Sequence, residues 1–172
     1  MQRQRLAALA LALATAATAA PRPGFACSCA WAGSFLTVAP RAPLVVRARV
    51  LSYHGERAGL PLAMDLAVVA VLRGELKEER IRVWGDNGML CRPPVTTFPI
   101  GSEWLLALDG PGSKPGMTPD HSISACGRYW LELRDTATVR GNIADDVDMD
   151  AVEEMALGEL VSRLEAALSS HH

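Results

Sequence analysis

From Leu44 onward the apolar positions fall into short runs and alternations, and only the last twenty residues or so repeat at helical spacing. Leu44-Val45-Val46-Arg47-Ala48-Arg49-Val50-Leu51 opens as an apolar run and then alternates, which predicts a strand with one wetter face. Tyr53 to Pro61 carries Gly55, Gly59 and Pro61 and reads as a hairpin loop. Met64 to Leu72 is a second, β-rich run, followed by a turn at Arg73-Gly74-Glu75-Leu76-Lys77. Arg80-Ile81-Arg82-Val83-Trp84 alternates cleanly, and Gly85-Asp86-Asn87-Gly88 is a tight-turn signal because Asn-Gly tolerates positive φ. The prolines of Cys91 to Pro99 lack N–H donors and exclude an internal strand. Glu103 to Leu108 is a further strand, Asp109 to Pro119 a Gly/Pro-rich loop, and Ile123–Cys126 and Tyr129–Leu133 are strand pieces around Gly127.

The tail changes period. Val152, Met155, Leu160, Val161, Leu164 and Leu168 recur at helical spacing behind Asp150, an N-cap with an acid three residues on. The expectation is therefore a mainly β fold, a five-stranded barrel of the OB type, with a C-terminal helix over residues 150–168. A flattened sandwich is the alternative.

The first 26 residues read as an export signal. Arg3 and Arg5 form a basic start, Leu6 to Ala20 is an uncharged run of Leu, Ala and Thr, and Gly24 and Ala26 put small residues before Cys27. That run is 15 residues long, short of the roughly 20 a membrane-crossing helix needs. Residues 1–26 are assigned to the signal and 27–172 to one domain, exported to the periplasm or the exterior. Two other readings of the junction stay open, cleavage after Ala20 and lipidation of Cys27. Removing the segment takes away Arg3, Arg5 and Arg22 and no acid, which leaves 14 basic against 19 acidic residues, a charge of −5. This balance argues against nucleic acid or an anionic membrane as partner.

All four cysteines, Cys27, Cys29, Cys91 and Cys126, lie after the signal, which suits two disulfides in an oxidising compartment. A Cys27–Cys29 bond would be strained, so each of the two is expected to reach one of the distant cysteines. Which pairs with which stays open on spacing. Either link closes a loop worth about 4 kcal/mol in the chain-entropy model. Cys-x-Cys with two single, distant cysteines does not match the paired spacing of a structural zinc site.

The cysteine layout resembles the N-terminal domain of the tissue inhibitors of metalloproteinases, a netrin-like OB-fold, in its bacterial form. The words that carry the likeness are Cys27-Ser28-Cys29, Leu44-Val-Val-Arg-Ala-Arg-Val, Val71-Leu-Arg-Gly, Cys91, Phe98-Pro-Ile-Gly-Ser-Glu-Trp-Leu-Leu and Cys126-Gly, spanning residues 27–133. The animal inhibitors have a third disulfide in this domain, for which this sequence has no cysteines, and a second, cysteine-rich domain, for which the acidic helix here is no substitute. The resemblance implies pairing of Cys27 with Cys91 and of Cys29 with Cys126. It also implies metalloendopeptidase inhibition through the Cys27 terminus, whose α-amino nitrogen and carbonyl oxygen would chelate a target protease's zinc. Ser28 would enter the neighbouring specificity pocket. The alternative is a non-inhibitory binding module whose Cys27-Ser28-Cys29 terminus is only structural.

The remaining candidates carry less chemistry. His54 and His121 fall in expected loops and read as solvent-exposed, and His171-His172 end the chain. Asp145, Asp146, Asp148 and Asp150 lack the glycine and bidentate Glu of a calcium loop and read as helix N-terminal charges. Trp104 and Trp130 read as core rather than as a stacking platform. With the cysteines oxidised no nucleophile–base constellation is left, so neither an enzyme nor a cofactor is expected. The partner expected is a zinc metalloprotease or another extracytoplasmic protein.

Overall fold

The computed structural model describes residues 28–110 and 120–169. The expected signal segment 1–26, Cys27, most of the Asp109–Pro119 loop and His171-His172 lie outside the described residues. The fold is mainly β. Eight strands form one sheet: β1 (Leu44–Arg57), β2 (Leu60–Arg73), β3 (Arg80–Trp84), β4 (Glu103–Leu108), β5 (Asp120–Ser122), β6 (Trp130–Leu133), β7 (Thr138–Gly141) and β8 (Glu153–Ala156). Two helices accompany them, a single turn α1 (Phe35–Val38) and α2 (Leu157–Ser169).

The strand order is β5-β3-β2-β1-β4-β6-β7-β8. All neighbours are antiparallel except β3 and β5, which run parallel. The sheet is not a closed barrel: beyond the ladders, one isolated bridge joins Asp109, at the end of β4, to Ser122 of β5. Among the described residues eight strands rather than the expected five are present because three of them leave almost no mark in the sequence. β5 is three residues long and stops short of Ile123–Cys126, the piece expected as strand, which is not one. β7 is four residues long, and β8 lies inside the acidic stretch expected to be helical.

The β1–β2 hairpin is longer than its sequence suggests. Tyr53–Arg57 and Leu60–Leu62, expected as loop, continue the strands, and only Ala58 and Gly59 turn the chain. Both have positive φ, 53° and 80°, as a two-residue hairpin of primed type requires. Three register shifts, between Val45 and Val46, Arg47 and Ala48, and Val50 and Ser52, bend the pair and re-aim its side chains.

Apolar residues pack on both faces of the sheet. One core takes Val46, Val50, Met64, Leu66, Val83, Phe98 and Ile123, the other Phe35, Val45, Leu131, Val139, Ile143, Leu160 and Leu164. β4 belongs to both, sending Trp104, Leu106 and Leu108 to the first and Leu105 and Ala107 to the second. That is why Trp-Leu-Leu-Ala-Leu does not alternate: a strand covered on both faces needs no polar side.

The tail departs from expectation at its start. The helix expected over 150–168 begins at Leu157, and Glu153–Ala156 is strand β8 paired with β7. Asp150 therefore caps no helix. The Glu153 carboxylate accepts the N–H groups of Ile143 and Ala144 at 2.8 and 2.7 Å, an arrangement that the extended backbone supplies. Helical spacing holds from Leu157 on, where Leu160 and Leu164 are buried and Glu159 pairs with Arg163.

Candidate functional site

Ser28, Cys29 and Ala30 are exposed, and the chain then turns inward. Cys29 is disulfide-bonded to Cys126, with Cα atoms 5.6 Å apart. Cys91 is also disulfide-bonded; its expected partner, Cys27, lies outside the described residues. The Sγ atoms of Cys29, Cys91 and Cys126 lie within 4.8 Å of one another. The Cys29–Cys126 half of the pairing implied by the resemblance is therefore present.

Backbone hydrogen bonds extend the attachment. Ala32 donates to the Cys126 carbonyl at 2.6 Å, Arg128 to the Gly33 carbonyl at 3.0 Å, and Ala125 to the Cys91 carbonyl at 2.9 Å. Gly127 allows this close approach, since a Cβ there would lie 3.1 Å from the Ala32 Cβ, the Gly33 oxygen and the Tyr129 ring. Arg41 reaches back from beyond α1 to the Ala32 carbonyl at 2.8 Å.

The acidic stretch holds the far end of this segment. Asp146 accepts the Ser34 N–H at 2.7 Å and the Thr37 hydroxyl at 2.8 Å, and these bonds hold its carboxyl below the usual range. Asp145 accepts the N–H groups of Val147 and Asp148. The acids expected to favour a helix N-terminus thus shape a loop instead, with Asp146 clamping α1.

Beside Cys91 the chain forms a projecting loop. Asp86 N–H bonds the Pro93 carbonyl at 3.0 Å to close it, and the side chains of Asp86 and Asn87 accept the N–H groups of Gly88 and Met89. Met89 and Leu90 at its tip are 76% and 43% exposed, so they project to solvent. A cleft of about 420 Å³ lies along one side of the loop, walled by Met89, Leu90, Cys91, Pro94, Ala125 and Trp130. A second cleft, about 260 Å³, lies between the loop and the hairpin tip at Arg57–Leu62. Arg57 donates to the Asn87 carbonyl at 3.1 Å and ties tip to loop.

Trp130 is only half-buried. Its ring meets Phe98 edge-on at 5.7 Å and carries the Arg128 guanidinium 5.2 Å from its centre, while another part lines the larger cleft. Burial pulls the Arg128 guanidinium down from its ordinary value, with Asp150 opposing. Trp104 is the buried tryptophan that the sequence suggests, at 8% exposure and 5.0 Å from Phe98.

The histidines divide. His54 is exposed, edge-on to Trp84. His121, expected in solvent, is 3% exposed in β5, with Nδ1 3.2 Å from the Asp109 carbonyl oxygen. Its neighbour in the parallel ladder is Val83, so the short strand carries it inward. Sequence reasoning passed over Met89 and Leu90. The available signal was an apolar pair between a turn glycine and a cysteine, with no strand to bury it.

No helix among the described residues is long and apolar enough to cross a membrane. No family model matches the chain, and no curated protein matches it.

Proposed function

We propose that this chain is an exported, disulfide-bonded protein-binding domain of the netrin-like type that inhibits a metalloendopeptidase through its Cys27 terminus. The observation that carries the reading is the exposed Ser28-Cys29 segment, fixed by the Cys29–Cys126 bond beside the projecting Met89 and Leu90. A disulfide-fixed Ser28-Cys29 segment near exposed apolar side chains suits contact with a protease, and prior fixation reduces the ordering cost of binding. The OB-type reading is supported by the order β5-β3-β2-β1-β4, the parallel β3–β5 pair and the Asp109–Ser122 bridge. In this reading β6, β7, β8 and α2 extend the outer face.

The chemistry is that of an open zinc position. A catalytic zinc keeps one site for water, and a neutral α-amine with the carbonyl of the same residue fills it as a five-membered chelate. An α-amine titrates at about 7.7–8.0, so it loses its proton at small cost near neutrality. Ser28 then enters the adjoining pocket.

Terminal sequencing of the exported protein should find Cys27 first, with a free amine. The protein should inhibit a zinc endopeptidase from a panel at micromolar concentration, and carbamylation of the amine should abolish the inhibition. A blocked terminus, or inhibition that survives carbamylation, removes the chelation mechanism. The second cleft favours another reading, since it is walled by the hairpin tip and the 86–94 loop and owes nothing to the terminus. In that reading the chain is a binding module, and Leu60→Asp should weaken its complex while carbamylation leaves it intact.

A further inference from the structure

The arginines are matched to carboxylates over most of the surface and unmatched in one place. Arg47 and Arg49 share Glu103, Arg82 holds Asp65, Arg134 and Arg140 meet Glu132, and Arg163 holds Glu159. Arg41 and Arg73 bind backbone carbonyls, and Arg80 shares a recess with Asp65 and Asp120. Arg57, Arg92 and Arg128 form no ion pair among the described residues. All three gather at the clefts beside the 86–94 loop. Arg92 lines the larger cleft, Arg57 the smaller, and Arg128 lies over the Trp130 ring that walls the larger. The acid lining both is Asp86, whose Oδ1 already accepts the Gly88 N–H.

The two clefts are one groove in two parts, because Met89 and Pro94 wall both. Leu60 and Leu62 continue the apolar lining on the hairpin side, Leu90 and Trp130 on the other. Leu60, Met89 and Leu90 are 56%, 76% and 43% exposed, so this lining is open to a partner. Arginine, tryptophan and methionine are the side chains that protein interfaces favour, and a methionine adapts its shape to what it meets.

We propose that this groove takes an acidic peptide segment of a partner protein, with an apolar side chain on each side of Met89 and carboxylates on Arg57 and Arg92. A guanidinium offers a carboxylate two parallel N–H bonds, and Arg57 uses one nitrogen on the Asn87 carbonyl and keeps the others. On a chain with 14 basic against 19 acidic residues after the expected signal, the local excess of cations singles the groove out. A concave groove fits an extended chain, whereas a flat anionic membrane would also meet the acidic remainder of the surface.

The proposal gives a partner chemistry to the binding-module reading under Proposed function, on which it rests, and is independent of the Cys27 terminus. The test is selection of a random phage-displayed peptide library on the exported protein, then titration of a leading peptide followed by tryptophan fluorescence. Selected sequences should carry two apolar side chains flanked by Asp or Glu. Arg92→Glu should weaken the leading peptide by about tenfold or more. The same peptide with its acids changed to Lys should recover affinity for that variant. Should Arg92→Glu not fold, Arg57→Glu carries the same test. Met89→Asp should also weaken binding, while Arg163→Glu on α2 leaves it unchanged. Carbamylation of the terminal amine should leave it intact as well. Recovery of no peptide, or of basic or uncharged peptides only, would overturn the proposal. So would binding only to vesicles of phosphatidylglycerol and phosphatidylcholine, or only to a second copy of the chain. Peptides that Leu60→Asp weakens and Arg92→Glu does not would leave the binding-module reading standing and overturn the acidic chemistry.

Discussion

At the scale of single residues, the clearest mismatch between side chain and backbone is Ala58. It occupies the left-handed region at φ 53° in a two-residue turn whose second position is already glycine. A Cβ in that region costs about 1–2 kcal/mol, and asparagine tolerates it better. Ala58→Asn should therefore stabilise the chain by up to about 1 kcal/mol, read as a rise in Tm or in the urea midpoint. Gly74 illustrates the opposite case, since its φ is 83° and a Cβ there would collide with the Pro43 carbonyl oxygen. The Arg73-Gly74 turn was legible for that reason. His121 was not, because nothing in Asp-His-Ser distinguishes a loop from a three-residue buried strand formed by distant pairing with β3.

At the scale of elements, β8 depends on side-chain bonding as well as on its ladder. Glu153 accepts two backbone N–H groups, from Ile143 and Ala144. Replacing it with alanine removes the acceptor for both, and an unsatisfied donor costs about 1–3 kcal/mol where water cannot replace the partner. Glu153→Ala should lower stability by about that amount, and hydrogen exchange at Ile143, which is buried, should quicken more than at Leu105. The same bond explains why the helix start was misread. Asp150 and Glu153 match a capping pattern, and only the distant loop at 143–144 reveals that Glu153 is already engaged. β3 and β4 were legible to the residue, since strict alternation in one and an unbroken apolar run in the other report one and two buried faces. The hairpin was underestimated because its outer half is solvent-exposed, so its polar residues carry no period-two contrast. The Cys29–Cys126 bond was legible only through the family resemblance, since spacing left the pairing open. In the 86–93 loop the turn at Gly85-Asp86-Asn87-Gly88 was legible, but the projection of Met89 and Leu90 was not, since the loop's shape comes from local side-chain bonds to backbone.

For the molecule as a whole, three carboxylates that bind distant parts together shift the same way. The Asp65 carboxyl is held low by Arg82, Glu103 by Arg47 and then Arg49, and Asp146 by the Ser34 N–H and the Thr37 hydroxyl. A carboxyl depressed in the folded state adds stability that is complete above its unfolded value and disappears as pH falls through the folded one. The ordinary values here are 3.8 for Asp and 4.5 for Glu. Stability should therefore be level with respect to these groups above about pH 5 and fall steadily below about pH 4.5. Urea midpoints measured across that window should show the fall. The difference between the wild type and Asp146→Asn should shrink as the medium becomes more acid, because protonation removes the same acceptor in the wild type.

β4 has a further consequence for how the molecule comes apart. Neighbouring residues Leu105 and Leu106 serve different cores, so the strand is a party wall with tenants on both sides. Neither side can be vacated alone, because lifting β4 opens both at once. The two layers are thus bound into one cooperative unit, and the amides of β4 should exchange only by complete unfolding. Slippage is closed off as well, since a shift of one residue would send every β4 side chain into the other layer's space.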